Sequence, residues 1–108
     1  MMNQIIIVGR LTSDPVVMTI DDKKIATITL AVNRSFKNAN GIYETDFVEF
    51  ILKGSMVDNV SEYCKKGDVV GIKGRVENDY RMDGERTMIL VAEKVTFLSS
   101  TNKKEGVE

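Results

Sequence analysis

The stretch Asn33-Arg34-Ser35-Phe36-Lys37 sets two cations around one ring, and further along Phe47 alternates with Glu49, Ile51 and Lys53. A third group, Tyr80-Arg81 with Arg86 nearby, sits in a polar segment. Every nucleobase has a π-face, so an exposed ring can stack any base, at ~1–3 kcal/mol each. Lysine and arginine contact phosphates and release counterions, and arginine can also support a ring. Rings interleaved with cations therefore suit a single nucleic-acid strand. Each group also has a plainer structural reading. An isolated Phe on a strand is commonly core, and for Phe36 alone the two readings stand level. Tyr80 alone is an ordinary solvated turn residue, and Lys65-Lys66 reads first as a charge pair at a helix end. Phe47 stands out because Glu49 and Lys53, on its own face, resist burial. Ile51 on that face suits a packing or subunit interface instead.

The residue types that are missing narrow the chemistry further. The 108 residues include no histidine and a single cysteine, Cys64. Histidine is the commonest general base and metal ligand, so Ser–His, Cys–His and thiolate–zinc arrangements are excluded, as is an internal disulfide. No clustered carboxylate motif replaces them. A binding protein without cofactor or metal is expected, rather than an enzyme. The net charge is −1, so the chain is not basic overall. Its charges are uneven: residues 1–40 carry five bases against three acids, and residues 41–64 one base against five acids. A local basic face is enough to follow a phosphate backbone. The longest apolar run is Ile5-Ile6-Ile7-Val8, too short for a membrane span. With a strand-like segment starting almost at Met1, no signal peptide is read, and a cytoplasmic location is expected.

The elements that must position these side chains are mostly strands. Alternation and turn residues predict strands over residues 4–11, resumed over 16–20 after the Asp14-Pro15 turn, then over 24–34 and 45–53. In the second, Ala26, Ile28, Leu30 and Val32 share one face. In the third, Asp46, Val48, Phe50 and Leu52 share the core side, which leaves Phe47, Glu49, Ile51 and Lys53 outward. Residues 37–44 read as a loop. A helix is expected over 55–66, with Ser55 as N-cap, Val57, Val60 and Cys64 on one face, Lys65 and Lys66 in the last turn, and Gly67 as terminator. Two further strands, 68–77 and 87–98, flank an Asp83-Gly84 tip. Residues 99–108 are polar and charged and read as a disordered tail, leaving one domain over 1–98. Five strands with one short helix after the third match the OB-fold, an all-β Greek-key barrel whose second and third strands form the ligand face. A plain five-strand meander is the rival architecture.

Several segments, in order, carry a family resemblance. They are Asn3-Gln4-Ile5-Ile6-Ile7-Val8-Gly9-Arg10-Leu11-Thr12-Ser13-Asp14-Pro15, Ala31-Val32-Asn33-Arg34-Ser35-Phe36-Lys37-Asn38-Ala39-Asn40-Gly41, Thr45-Asp46-Phe47-Val48, Glu62-Tyr63-Cys64-Lys65-Lys66-Gly67-Asp68 and Gly74-Arg75-Val76. Together, over about residues 3–98, they resemble the bacterial single-stranded DNA-binding protein family, especially its short Gram-positive-type or accessory members. The resemblance implies an OB-fold homotetramer, a dimer of dimers, that wraps single-stranded DNA without sequence preference in replication, repair or recombination. It places stacking rings at Phe36 and Phe47, a third stacking position at Lys53, where this chain has no ring, and a hairpin position near Tyr80 or Arg81. With flanking cations, the expected contact set is Arg10, Arg34, Phe36, Lys37, Phe47, Lys53, Lys66, Tyr80, Arg81 and Arg86.

The departures from the family pattern point one way. Lys53 replaces a ring with a charge, Glu49 puts an acid on the ligand face, and Glu77 and Asp79 stand where basic hairpin residues are usual. Weaker or more salt-sensitive binding than a typical member is expected. The ending Lys104-Glu105-Gly106-Val107-Glu108 lacks the family's acidic tip with Pro-Phe, so recruitment of repair enzymes by that route is not expected. Ile51, Glu49 and the near-neutral charge favour a second reading: an OB-fold subunit of a primosome-like assembly that works mainly through protein contacts.

Overall fold

The structure is a computed structural model, and it describes residues 1–80 and 83–100, except for the side chain of Tyr80. Its elements in order are β1 (Ile5–Leu11), β2 (Val16–Ile20), β3 (Lys23–Lys37), β4 (Tyr43–Lys53), α1 (Met56–Tyr63), β5 (Val69–Tyr80) and β6 (Arg86–Ser99). The alternation of β3 organises the rest. Ala26, Ile28 and Leu30 are fully buried and pair across to Leu52, Phe50 and Val48 of β4. The intervening rungs, Thr27↔Ile51, Thr29↔Glu49 and Ala31↔Phe47, face outward.

The sheet closes on itself. β1 pairs antiparallel with β5, β5 with β6, β6 parallel with β4 near Ile51↔Val91, β4 with β3, and β3 with β1 through Arg10↔Ala31 and Leu11↔Leu30. This ring is the expected barrel, and closure removes most free strand edges. The described residues form six strands, not five, because Val16–Ile20 does not simply continue β1. After the Asp14-Pro15 break it folds onto β3, with Val16↔Thr27 through Ile20↔Lys23. The two-residue turn of that hairpin holds Asp21 and Asp22 at positive φ, where a short side chain that can bond locally is tolerated.

Two glycines permit the close approaches that closure demands. A Cβ on Gly9 would lie 2.8 Å from the Ala31 carbonyl oxygen, where β1 crosses β3. A Cβ on Gly74 would run into the Val91 carbonyl and crowd the Phe50 ring. Gly74 sits at a register shift in the β5–β6 ladder, where a bulge bends the strand toward closure.

Helix α1 is shorter than its sequence suggests. Val57, Val60 and Cys64 are buried as expected and join the Phe50–Leu52 core. Ser55 is the N-cap residue, but its side chain makes no capping hydrogen bond, and its backbone is helical, outside the extended conformation a capping side chain needs. The helix ends at Tyr63 with Cys64 already extended, so its last turn contains neither Lys65 nor Lys66, and Gly67 does not terminate it. A competing turn ends it instead: the buried Asp68 carboxylate accepts from the Lys65 N–H at 2.8 Å, and the Asp68 N–H donates to the Lys65 carbonyl. The Gly67 N–H in turn donates to the Leu11 carbonyl, and the Leu11 N–H to the Asp68 carbonyl. These bonds pin the helix exit to the end of β1. Burial pushes the Cys64 thiol pKa up, helped by the nearby Asp68 charge, so this thiol is a core group rather than a nucleophile.

Four strands run past their expected ends. β3 and β4 continue to Lys37 and back from Tyr43, leaving only residues 38–42 as loop, and β5 and β6 run to Tyr80 and back from Arg86. β6 ends at Ser99, one residue into the expected tail. Ser100 follows it outside any element, and residues 101–108 of that tail lie outside the described residues, as does Arg81.

Phe50 is the largest fully buried side chain among the described residues. Phe50→Ala should lower the unfolding free energy by ~3–5 kcal/mol. Gly74→Ala, which overpacks the closure, should cost ~1–3 kcal/mol. Urea denaturation at an unchanged m-value checks both, and wild-type midpoints would refute this account of barrel closure.

Candidate nucleic-acid interface

The closure of β1 onto β3 builds a continuous outer face. Residues directly opposite in adjacent strands point to the same side, so Arg10, Ala31 and Phe47 form one row across β1, β3 and β4. Strand spacing puts the two ends of this row about 10 Å apart. Phe47 is 68% exposed at one end. At the other end the Arg10 guanidinium donates to the Gly67 carbonyl at 2.7 Å, which fixes it beside the exposed Lys66. The Lys66 N–H is itself held by the Asp14 carboxylate at 2.8 Å. The structure thus ties Arg10 to the residue that follows Lys66 and places Arg10 on the Phe47 face.

Along β4 the same face carries Tyr43, Thr45, Phe47, Glu49, Ile51 and Lys53 in alternation. Opposite them β3 presents the small side chains Thr27, Thr29, Ala31 and Asn33, which leave a shallow bed beside Phe47. The Thr45 hydroxyl donates to the Asn33 side-chain oxygen at 2.8 Å, which ties the two strands on this side. Lys53 lies at the far end, across from Ile25. There, Lys23, Lys24 and Lys53 line a hollow with Ile20, Asp21 and Ile25, of about 510 Å3.

Arg34 stands apart from this face. Its guanidinium grips the Asp46 carboxylate through two hydrogen bonds of 3.0 Å and reaches Glu44 at 3.1 Å. Asp46 pairs with Val32 on the core side of the hairpin, so Arg34 sits on the side opposite Phe47. The hydrogen bonds with Asp46 push the arginine pKa up and hold the aspartate below its ordinary value. Between the Asn33↔Thr45 and Lys37↔Tyr43 pairs, β3 carries two residues more than β4. Phe36 lies in this bulge and is 71% exposed. The Lys37 ammonium lies 5.7 Å from the centre of the Tyr43 ring, a cation–π distance.

Tyr43 is therefore a face residue that the sequence reading missed by placing it in a loop. Its alternation with Thr45 and Phe47 was the available signal. It lies two outward positions from Phe47, about 14 Å along the strand. Met88 is a second omission: this 72%-exposed side chain lines a groove with Phe47 and Glu49. No local pattern marks it, because β4 and β6 meet only through barrel closure. Arg86 is exposed at the start of β6, paired in register with Tyr80.

Comparison with known proteins agrees with this geometry. The family model described as "Single-strand binding protein family" matches residues 2–98. The chain is 42% identical over 111 residues to "Single-stranded DNA-binding protein 3" of Listeria innocua, covering 98% of this chain and 69% of that protein. It is 42% identical over 107 residues to "Single-stranded DNA-binding protein" of Bacillus cereus, covering 94% of this chain and 63% of that one. It thus spans about two thirds of the length of these relatives. Among solved structures, "Plasmodium falciparum SSB complex with ssDNA" superposes with a TM-score of 0.76 at 21% identity, over 92% of this chain and 96% of that one, which establishes the OB-type fold. With the match running through every strand that builds the Phe47 face, the chain belongs to the single-strand binding protein family.

Proposed function

We propose that the protein binds and protects single-stranded DNA, in replication, repair or recombination, by stacking bases on exposed rings and contacting phosphates with flanking cations. It performs no chemistry on the strand. The observation that carries this reading is the row Arg10–Ala31–Phe47, in which an exposed ring and a cation share one open face. Phe36 and Tyr43 extend the stacking surface toward the hairpin tip, and Lys53 replaces a ring by a phosphate partner at the other end. Tyr80, Arg81 and Arg86 complete the proposed contact set in the second hairpin. Arg34 contributes by stiffening the β3–β4 hairpin through Asp46. Stacking tolerates any base, so no sequence motif is required.

A titration of fluorescent oligo-dT at two salt concentrations tests this. Phe47→Ala and Phe36→Ala should each weaken binding by about tenfold or more. Arg10→Ala should weaken it and reduce the salt slope by ~0.7 for each phosphate that Arg10 neutralises. Arg34→Ala should leave the slope unchanged. Absence of binding at low salt would overturn the reading, and unchanged affinity in both phenylalanine variants would overturn the stacking mechanism.

We further propose a homotetramer, a dimer of dimers. Ile6 and Val8 are exposed on β1, and Leu98 on β6. Val8 and Leu98 meet over Gly71, each within 4 Å of where its Cβ would stand. Apolar side chains gathered in this way mark an association surface. Light scattering should give four chains, and Val8→Lys should reduce that number. A wild-type monomer would overturn the assembly and favour the reading of a subunit covered by a different protein.

A further inference from the structure

Beside Phe47 runs a groove of about 290 Å3 lined by Phe47, Val48, Glu49, Ile51, Met88, Ile89 and Leu90. Its size is at the lower edge of small-molecule sites, ~300–1,000 Å3. Apart from Glu49, the residues that line it are apolar. Phe47 supplies a flat ring and Met88 a flexible thioether that adapts to what lies against it. Glu49 is the one charged group in the lining among the described residues. It is exposed, stands across from Thr29, and takes part in no hydrogen bond or ion pair among the described residues. The nearest cation on its own strand face is Lys53, beyond Ile51. A carboxylate on a face that follows phosphates only repels them, unless it recognises a donor.

We propose that this groove takes one nucleobase whose outer edge presents an amino group, guanine foremost, with Glu49 as the acceptor. The inference rests on the single-strand reading above and adds a base preference at one position to it. An ionised carboxylate can only accept hydrogen bonds. Guanine offers an N1–H and an amino N–H side by side, matching the two carboxylate oxygens. Cytosine and adenine each offer an amino group, and a carboxylate pairs with the cytosine amino group in known readout. Thymine offers a single N–H flanked by two carbonyl oxygens, both of which repel the carboxylate. Stacking on Phe47 holds any of the four, and Glu49 ranks them. At the remaining rings binding stays indifferent to sequence.

Inosine isolates the recognising group, because it is guanine without the amino group. Three oligonucleotides of equal length are compared by fluorescence titration: repeats of dT-dT-dG, repeats of dT-dT-dI, and oligo-dT. The wild-type protein should bind the guanine strand about three- to tenfold more tightly than the inosine strand, while oligo-dT reports single-strand binding without a purine. Glu49→Ala should bind the inosine strand and oligo-dT more tightly, because repulsion of phosphate is gone, and should bring the guanine–inosine ratio down to one. Glu49→Gln, which keeps an acceptor without the charge, should retain part of the ratio. Equal wild-type affinities for the guanine and inosine strands would overturn the proposal while leaving single-strand binding intact. So would a ratio that survives Glu49→Ala. Failure of all three strands to bind at low salt would overturn the single-strand reading and this preference with it.

Discussion

The crossing of β1 over β3 is the constraint on which the molecule depends. Only two residue pairs make it, Arg10↔Ala31 and Leu11↔Leu30, yet they do two different things. Leu11 and Leu30 point inward and are both buried, sealing the core at the seam. Arg10 and Ala31 point outward and carry the row that ends on Phe47. One register therefore sets both stability and function. A slip of one residue would bury Arg10 and expose Leu11, which an apolar core strongly disfavours. Gly9 makes the crossing sterically possible, since any side chain there would strike the Ala31 carbonyl. The bonds between Leu11 and the Gly67–Asp68 turn then lock the end of β1 in place.

Beyond the barrel the β3–β4 hairpin has no core to hold it, and polar contacts take over. On the face side Thr45 bonds Asn33, and on the opposite side Arg34 grips Asp46 and Glu44. Exposed ion pairs of this kind contribute little to global stability, but a bidentate pair across two strands restricts their relative twist. The hairpin thus keeps its register as far as the bulge that carries Phe36. Stacking rings are most effective when they are held in place before the strand arrives.

Much of this could be read from residue order, and the failures share a cause. The alternation of residues 24–34 and 45–53 correctly assigns the buried and open faces, because local period-two patterning reflects burial directly. Phe47 is found for that reason, and so are Val57, Val60 and Cys64 on the helix. The pattern fails where long-range contacts decide. Lys65 and Lys66 suit a helix end, but Asp68 and Leu11 draw the chain into a different turn. Tyr43 looks like loop because Asn38-Ala39-Asn40-Gly41 signals a turn, yet pairing with Lys37 extends the strand past it. Asn38 still organises the tip: its side-chain oxygen accepts from the Asn40 and Ile42 N–H groups. Met88 is invisible to local pattern, since its neighbour Phe47 lies far away in sequence. Arg34 is the reverse case, a cation next to an aromatic in sequence whose charge the fold directs to the other side.

The near-neutral charge of the chain is compatible with a face for an anionic strand because of where the acids are spent. Arg34 is matched by Asp46 and Glu44, Lys24 by Asp58, Lys73 by Glu93, and Arg75 by Glu77 and Glu93. These pairs cancel within themselves and contribute little field at a distance beyond a Debye length of ~10 Å. Among the described residues, Arg10 and Lys53 make no ion pair, and they lie at opposite ends of the outer face. A net charge near zero then hides an outer face on which Arg10 and Lys53 stand outside any ion pair among the described residues, and Glu49 is the acid among the outward residues of β4. That acid stands midway between Phe47 and Ile51 and lines the groove. Its placement makes it a poor device for solubility and a costly one for phosphate binding. In the proposed complex, the donor groups of a bound base offset that cost.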